Sequence, residues 1–191
     1  MEAETRLVVG ISGASGVIYG VRLLEALKAL PGTFQVETHL VMTRTAEVTL
    51  AHETDCKIAD VRALAHATYR IDDLAAAISS GSFRTKGMIV VPCSMRSLGE
   101  IAHGIAGNLL TRAADVVLKE RRRLVLAVRE TPLTTVHLRN MLTLSEMGAI
   151  VAPAMPAFYN RPKSLDESID HTVGRLLDLF ELDTGKVKRW S

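Results

Sequence analysis

Short apolar stretches recur along the chain, each bounded by glycine, proline or polar residues. Continuous apolar runs are typical of strands buried on both faces of a parallel sheet. We predict strands at residues 7–11, 36–42, 87–92, 123–129 and 149–153. The segments between them carry apolar residues at helical spacing. They predict helices at residues 21–30, 46–53, 97–118 with a break at 104–108, 138–148 and 165–180. This alternation indicates an α/β fold, with a central parallel sheet and helices on both faces.

The pattern between residues 54 and 87 is weaker. It predicts two short helices, at residues 61–67 and 72–78, and then a loop at 79–82. Ligands of parallel α/β sheets bind at the carboxyl ends of the strands. We therefore expect a site lined by the residues that follow the strand ends Ile11, Met42, Val91, Val128 and Ala152.

Composition narrows the class of protein. A chain of 191 residues fits a single domain, here residues 1–191. No apolar run approaches the ~20 residues that cross a bilayer, and the acidic N-terminus does not resemble a secretion signal. We expect a cytoplasmic protein with no membrane partner. The net charge of +2 gives no reason to expect nucleic acid. The two cysteines, with the histidines and carboxylates, show no metal-ligand spacing, so we expect no metal.

A glycine-rich turn follows the first predicted strand, with glycines at Gly10, Gly13 and Gly16. Such a turn lets the backbone approach a ligand, and the helix that follows offers unpaired N–H groups to an anion. Thr43 and Arg44 follow the second strand, in place of the acidic residue that holds the ribose of NAD. The turn therefore favours the phosphate of a mononucleotide. Close packing of helix on strand is an alternative that explains the glycines nearly as well.

Polar residues also stand at two other strand ends. Ser94 and Ser97 can cap the following helix or hold a ligand, and capping is the simpler interpretation. Arg129 and Glu130 directly follow a predicted buried strand, which makes both of them site candidates. Cys93 is interpreted as a small buried thiol rather than a nucleophile.

A helical segment carries three charged residues on one face: Arg112, Asp115 and Lys119. They are spaced i, i+3 and i+7, which suits either a ladder of ion pairs or a cationic clamp for a phosphate. From spacing alone, the ladder is favoured.

Several longer motifs, taken together, resemble the UbiX flavin prenyltransferases, a family formerly described as phenylacrylic or hydroxybenzoate decarboxylases. The matching stretches occur in order along nearly the whole chain, at residues 10–24, 53–55, 90–95, 112–132, 137–149 and 153–162. The resemblance implies a Rossmann-like (flavodoxin-like) three-layer domain that binds FMN. It also implies transfer of a dimethylallyl group from dimethylallyl phosphate to reduced FMN, without a metal. The product, prenylated FMN, would serve a UbiD-type decarboxylase. Members form homo-oligomers, commonly dodecamers, with sites at subunit interfaces.

The resemblance also implies roles for individual residues. Those expected to contact FMN are Gly13, Ala14, Ser15, Thr43, Ser94, Met95, Arg96, Ser97 and Arg129. Those expected to hold dimethylallyl phosphate are Arg112, Lys119, Tyr159 and Arg175. Proton transfer is assigned to Glu53 and Glu130, with Ser15 in the relay. Two positions depart from the family pattern: Arg96 replaces a glycine of some members, and Thr43 replaces a serine of many.

Three other functions remain as alternatives. The first is an FMN-dependent decarboxylase of aromatic acids, for which FMN alone is a poor electron sink. The second is oxidative decarboxylation of a peptidyl cysteine, as in related flavoproteins of similar fold. The third is a non-catalytic flavin carrier, which would leave Lys119 and Arg175 without a purpose.

Overall fold

Six parallel strands form one sheet, in the order β3-β2-β1-β4-β5-β6. The structure is a computed structural model that describes residues 6–31 and 36–189. The strands are β1 (Arg6–Ile11), β2 (Glu37–Met42), β3 (Ala67–Tyr69), β4 (Gly87–Cys93), β5 (Arg123–Val128) and β6 (Ile150–Val151). The α-helices in the described residues are α1 (Val17–Lys28), α2 (Arg44–Glu53), α3 (Ile58–Arg62), α4 (Met95–Ala102), α5 (Leu109–Lys119), α6 (Thr135–Glu146) and α7 (Leu165–Asp178).

Strand alternation divides the core into two halves, one on each face of the sheet. In β1, Leu7, Val9 and Ile11 point to a cluster that contains α1 and α7, whereas Val8 points to a cluster that contains α4 and α5. Successive side chains of a strand face opposite sides, so each strand contributes to both halves. The predicted α/β fold with three layers, Rossmann-like (flavodoxin-like) in type, is confirmed.

The segment between β2 and β4 differs from the prediction. The helix predicted at residues 61–67 is wrong, because α3 is Ile58–Arg62 and Ala67–Tyr69 form the edge strand β3. The helix predicted at 72–78 is also wrong: turns lead there to a 3₁₀ turn at Ala77–Ser79. β3 has only three residues, and none of them is fully buried. It therefore lacks the apolar run on which strand prediction depends.

The strand order places a topological switch point between β1 and β4. From β1 the chain moves outward through β2 to β3, then returns to β4 on the other side of β1. Helices leave the two adjacent strands on opposite faces, so a crevice opens at their carboxyl ends, where such sheets bind ligands. The segments after β1 and β4 are the glycine-rich turn and the stretch from Ser94.

None of the described helices is long and apolar enough to span a membrane.

Candidate active site

Ser12 joins the two strands at the switch point. Its hydroxyl donates to the carbonyl oxygen of Pro92 at 2.9 Å and accepts from the amide of Ser94 at 2.7 Å. The Ser12 amide also donates to Pro92, at 3.2 Å. Ser12 is fully buried, so these bonds fix the ends of β1 and β4 relative to each other. The sequence analysis passed over Ser12, although it lies within the glycine-rich turn.

The N-terminus of α1 is held by a carboxylate from α2. Gly16 adopts a φ of 95°, which favours glycine, and no side chain of its own caps the helix. The amides of Gly16 and Val17 donate to Oε2 of Glu53, at 2.8 and 3.2 Å. The sequence analysis expected these N–H groups to be unpaired and available to a phosphate. That expectation is wrong for both, because the anion at this helix terminus is Glu53 itself.

Glu53 is kept ionised by its neighbours. Burial would raise the pKa of its carboxyl group, but hydrogen bonds from the Ser15 side chain and from the two amides outweigh burial and lower the pKa. The positive charge of Arg129 acts in the same direction. Ser15, Glu53 and Arg129 therefore form one electrostatic group, although they come from the turn after β1, the end of α2 and the end of β5.

Gly13 packs directly against the start of α2. A Cβ atom at Gly13 would lie 2.3 Å from Oγ1 of Thr45, closer than atoms can approach. Thr45 in turn lies 3.0 Å, Oγ1 to Oγ1, from Thr43, whose side chain caps α2 by accepting from the amide of Ala46 at 3.1 Å. Close packing, the alternative left open by the sequence, therefore accounts for Gly13. The contact also brings the Thr43 and Thr45 hydroxyls beside the glycine-rich turn.

The start of α4 carries a second helix cap. Ser94 Oγ accepts from the amide of Ser97 at 3.2 Å and donates to the Ser97 hydroxyl at 3.2 Å, so capping is confirmed. Arg96 is exposed and pairs with Glu100 at 2.9 Å. Glu100 also accepts from Asn108 at 3.3 Å, which ties α4 to the start of α5.

Nearby strand-end residues complete this region. Ala14 and Met95 are half-buried, and the Ala14 amide donates to the Ser12 carbonyl at 2.9 Å. Cys93 is fully buried, and burial raises the pKa of its thiol to about 12, which agrees with an inert side chain.

A cavity of about 220 Å³ opens between the N-termini of α2 and α4. Its lining includes hydroxyl, guanidinium and amide groups, and is formed by Thr43, Arg44, Thr45, Ile71, Ser94, Arg96, Ser97, Glu100 and Asn108. Thr45, Glu100 and Asn108 were missed by the sequence analysis, since only tertiary packing brings them here. Ligand pockets commonly measure ≈300–1,000 Å³, so this cavity is smaller than a typical enclosed pocket.

A larger cavity, of about 650 Å³, lies between the end of α1 and residues 183–186. It is at the opposite edge of the sheet and contains none of the strand-end residues. We therefore place the site at the smaller cavity, where the switch point and the two helix N-termini meet.

Arg129 and Glu130 follow β5 at the same edge as the glycine-rich turn. Both are exposed, and Glu130 Oε1 accepts from the amide of Thr131 at 3.0 Å. Arg129 also lies close enough to Tyr19 to oppose the rise in the Tyr19 pKa that burial causes. Tyr19, on the first turn of α1, is a further residue that the sequence analysis missed.

Arg112 and Lys119 are not among the residues that line the cavity between α2 and α4. Arg112 donates to the Ser79 carbonyl at 3.2 Å and pairs with Asp115 at 2.8 Å. Lys119 pairs with Glu120 at 2.6 Å. Because α5 ends at Lys119 and β5 begins four residues later, Lys119 lies at the amino-terminal edge of the sheet. The predicted ladder is confirmed only for Arg112 and Asp115.

Arg175 and Tyr159 are also separate from the cavity. Arg175 belongs to the last turn of α7 and pairs with Asp178 at 2.7 Å. Tyr159 lies on a 3₁₀ turn at Phe158–Asn160, where its hydroxyl contacts His171 Nε2 at 3.2 Å. One chain thus gathers the residues assigned to FMN, but does not gather the four assigned to dimethylallyl phosphate.

The described residues contain no group of three His, Cys, Asp or Glu side chains that could hold a metal ion.

Comparison with known proteins identifies the family. The Flavoprotein family model matches residues 1–179. Flavin prenyltransferase UbiX of Escherichia coli (strain K12) is 56% identical over 177 residues, which cover 93% of this chain and 92% of the relative. The chain belongs to the UbiX flavin prenyltransferase family.

Two solved structures of UbiX-type proteins have the same fold. AnUbiX (PadA1), in complex with FMN and dimethylallyl pyrophosphate, is 52% identical, with a TM-score of 0.94 over 98% of each chain. A dodecameric FMN-dependent UbiX-like decarboxylase from Escherichia coli O157:H7 is 53% identical, with a TM-score of 0.94 over 97% of this chain and 99% of the other.

Proposed function

We propose that this chain transfers a dimethylallyl group from dimethylallyl phosphate to reduced FMN. The observation that carries the proposal is the AnUbiX complex, in which a protein 52% identical over nearly its whole length binds FMN together with dimethylallyl pyrophosphate. We further propose that a UbiD-type decarboxylase receives the prenylated FMN, that residues 1–191 act as one domain, and that the protein works in the cytoplasm without nucleic acid or a membrane.

The cavity between α2 and α4 fits the phosphate of FMN. Two helix N-termini face it, and each supplies backbone N–H groups and a partial positive charge. The hydroxyl groups of Thr43, Ser94 and Ser97 add hydrogen-bond donors, and Arg96 adds a charge at its mouth. The contacts to Gly13, Ala14, Ser15, Met95 and Arg129 expected from the family resemblance surround the same crevice.

Reduced FMN, when bound, supplies the nucleophile and an apolar ring surface for the allylic group. The protein's part is to hold the reactants and to move protons. Ser15 is hydrogen-bonded to Glu53, so a proton that leaves the Ser15 hydroxyl has a carboxylate beside it. Arg129 stabilises negative charge at the same place. Glu130, exposed at the end of β5, supplies a second carboxylate that can exchange protons with bound ligands.

We propose that copies of this chain complete the second site. The four residues assigned to dimethylallyl phosphate, Arg112, Lys119, Tyr159 and Arg175, lie apart in one chain, and two of them are near the amino-terminal edge of the sheet. The three cations and the Tyr159 phenol stabilise a departing phosphate only if another copy presents them at the flavin crevice. A homo-oligomer, as in the dodecameric relative, provides that arrangement.

Exposed apolar side chains support assembly. Helix α6 and the residues near it expose Leu133, Val136, Leu138, Leu142 and Met147, each more than 40% accessible. Phe158, next to Tyr159, is 79% exposed. Large exposed apolar areas are typical of protein–protein contacts.

A direct decarboxylase of aromatic acids is the second candidate, because the dodecameric relative is named a UbiX-like decarboxylase. The two functions are separated by incubating the FMN-loaded protein with an aromatic acid, alone and with a UbiD-type apo-decarboxylase, after turnover with dimethylallyl phosphate. We expect CO₂ release only in the presence of the second protein. Release by this protein alone would favour the decarboxylase. The same assay with dimethylallyl pyrophosphate decides which donor is used.

A further inference from the structure

Tyr159 forms a hydrogen bond with a buried histidine, His171. Its hydroxyl oxygen lies 3.2 Å from Nε2 of His171, and the two rings meet edge to face, with centroids 5.7 Å apart at 81°. The two residues differ sharply in exposure: Tyr159 is 50% accessible, whereas His171 is 4% accessible. A fixed imidazole inside the protein thus contacts the polar end of a side chain that reaches the surface.

The position of His171 is set by α7. Its neighbours Ile169, Thr172 and Val173 are also buried, and the Thr172 hydroxyl donates to the Ser168 carbonyl at 2.9 Å. Arg175 follows His171 by four residues, so both lie on one face of the helix. Tyr159 and Arg175, two of the four residues assigned to the prenyl phosphate, therefore each lie near His171.

The surroundings of His171 determine which nitrogen carries the proton. Nδ1 is buried, with no hydrogen-bond partner among the described residues. A buried N–H without an acceptor is rarer in proteins than a buried acceptor without a donor. The proton is therefore assigned to Nε2, which donates to the Tyr159 oxygen. In this arrangement the phenol O–H keeps the role of donor, which a phosphate oxygen requires.

The charge of the imidazole agrees with this assignment. Burial lowers the pKa of His171, the charge of Arg175 lowers it further, Asp178 opposes the shift, and Lys188 adds to it. His171 is accordingly neutral at neutral pH, with a single N–H.

We propose that His171 is a positioning residue for the transfer reaction: it holds the Tyr159 phenol as a hydrogen-bond donor to the prenyl phosphate. The proposal rests on the proposed function, since it assigns Tyr159 to that phosphate.

The test uses two substitutions of matched polarity. In His171→Gln the side-chain amide reaches approximately as far as Nε2, whereas in His171→Asn it reaches only as far as Nδ1. Both are neutral and smaller than a ring. The rate of prenylated FMN formation is measured anaerobically against the concentration of dimethylallyl phosphate, with bound FMN and the melting temperature measured for each variant.

We expect His171→Asn to raise the half-saturating concentration about fivefold, the factor that loss of one hydrogen bond gives, and His171→Gln to stay within about twofold of the wild type. Bound FMN should be unchanged. Tyr159→Phe should raise the half-saturating concentration about tenfold. Adding His171→Asn to it should change that concentration by less than about twofold, because His171 acts through the phenol.

The proposal would be overturned, and a structural role shown, if His171→Gln and His171→Asn raised the half-saturating concentration equally. The same holds if the increases from Tyr159→Phe and His171→Asn multiplied in the double variant. Normal saturation in His171→Asn would also overturn the proposal. Absence of prenylated FMN with the wild type would refute the proposed function and this inference together, whereas normal wild-type turnover confines any failure to His171.

Discussion

Replacing Glu53 with glutamine separates the charge of this residue from its shape. The wild-type carboxylate accepts from the amides of Gly16 and Val17 and from Ser15. Hydrogen bonds to a charged group contribute about 1.5–3 kcal/mol each when they are buried. Glu53 is exposed, so solvent screening reduces this to about 0.3–1 kcal/mol, the value of a charge at a helix N-terminus. We expect Glu53→Gln to lower the free energy of unfolding by about 1 kcal/mol, which lowers Tm by about 2–4 °C.

The loss should depend on pH. The folded pKa of Glu53 is lowered, so its stabilisation is present above the ordinary value of about 4.3 and disappears as the pH falls through the folded value. The wild type and Glu53→Gln should therefore differ in the free energy of unfolding at pH 7, and this difference should shrink toward zero in strong acid.

The same substitution tests proton transfer. We expect Glu53→Gln to retain FMN but to slow formation of prenylated FMN by about 10²–10⁴ at pH 7. The matched control is Glu47→Gln, on the same helix, whose carboxylate pairs with Arg62 at 2.6 Å and does not contact the turn. Glu47→Gln should lower the free energy of unfolding by at most about 1 kcal/mol and leave the rate of prenylated FMN formation unchanged. A stability difference that persists in acid, or a normal rate in Glu53→Gln, would refute the reasoning.

Four further substitutions test the remaining assignments. Glu130→Gln should bind FMN normally and slow turnover by about 10²–10⁴, measured in a single turnover; a normal rate would leave Glu130 with a structural role. Lys119→Ala and Arg175→Ala should each weaken saturation by dimethylallyl phosphate far more than FMN retention, as titrations of both ligands will show, and the opposite ranking would reverse the two assignments. Ser12→Ala should lower the free energy of unfolding by about 1–3 kcal/mol and reduce bound FMN, because the partly buried amide of Ser94 loses its acceptor. Ser145→Ala, at an exposed position, is its control, and equal unfolding free energies of the two would contradict the bridging role.

Local patterns predicted the elements that carry long apolar runs. β1, β4 and β5 lie within a residue of their predicted bounds, because each buries an almost continuous apolar segment. β3 was missed because its three residues are stabilised by pairing with β2 rather than by burial. Pairing with a distant strand produces no recognisable pattern of apolar residues in a stretch of three residues.

The site was predictable only where strand ends and the family resemblance point to it. Neither source contains the bond between Ser12 and Ser94, which are 82 positions apart in the chain, nor the bond from Glu53 to the amide of Gly16, 37 positions away. These contacts arise from the order of strands in the sheet. The same limit explains why a glycine-rich turn that predicts an anion site holds a carboxylate of the protein.

The most direct test of flavin prenylation is the mass of the flavin itself. The purified wild-type protein is incubated anaerobically with reduced FMN and dimethylallyl phosphate, and the flavin is extracted and analysed by mass spectrometry. We predict a new flavin that carries one dimethylallyl unit, formed only when protein and donor are both present. Recovery of unmodified FMN alone, from protein shown to bind both ligands, would contradict the assignment as a flavin prenyltransferase.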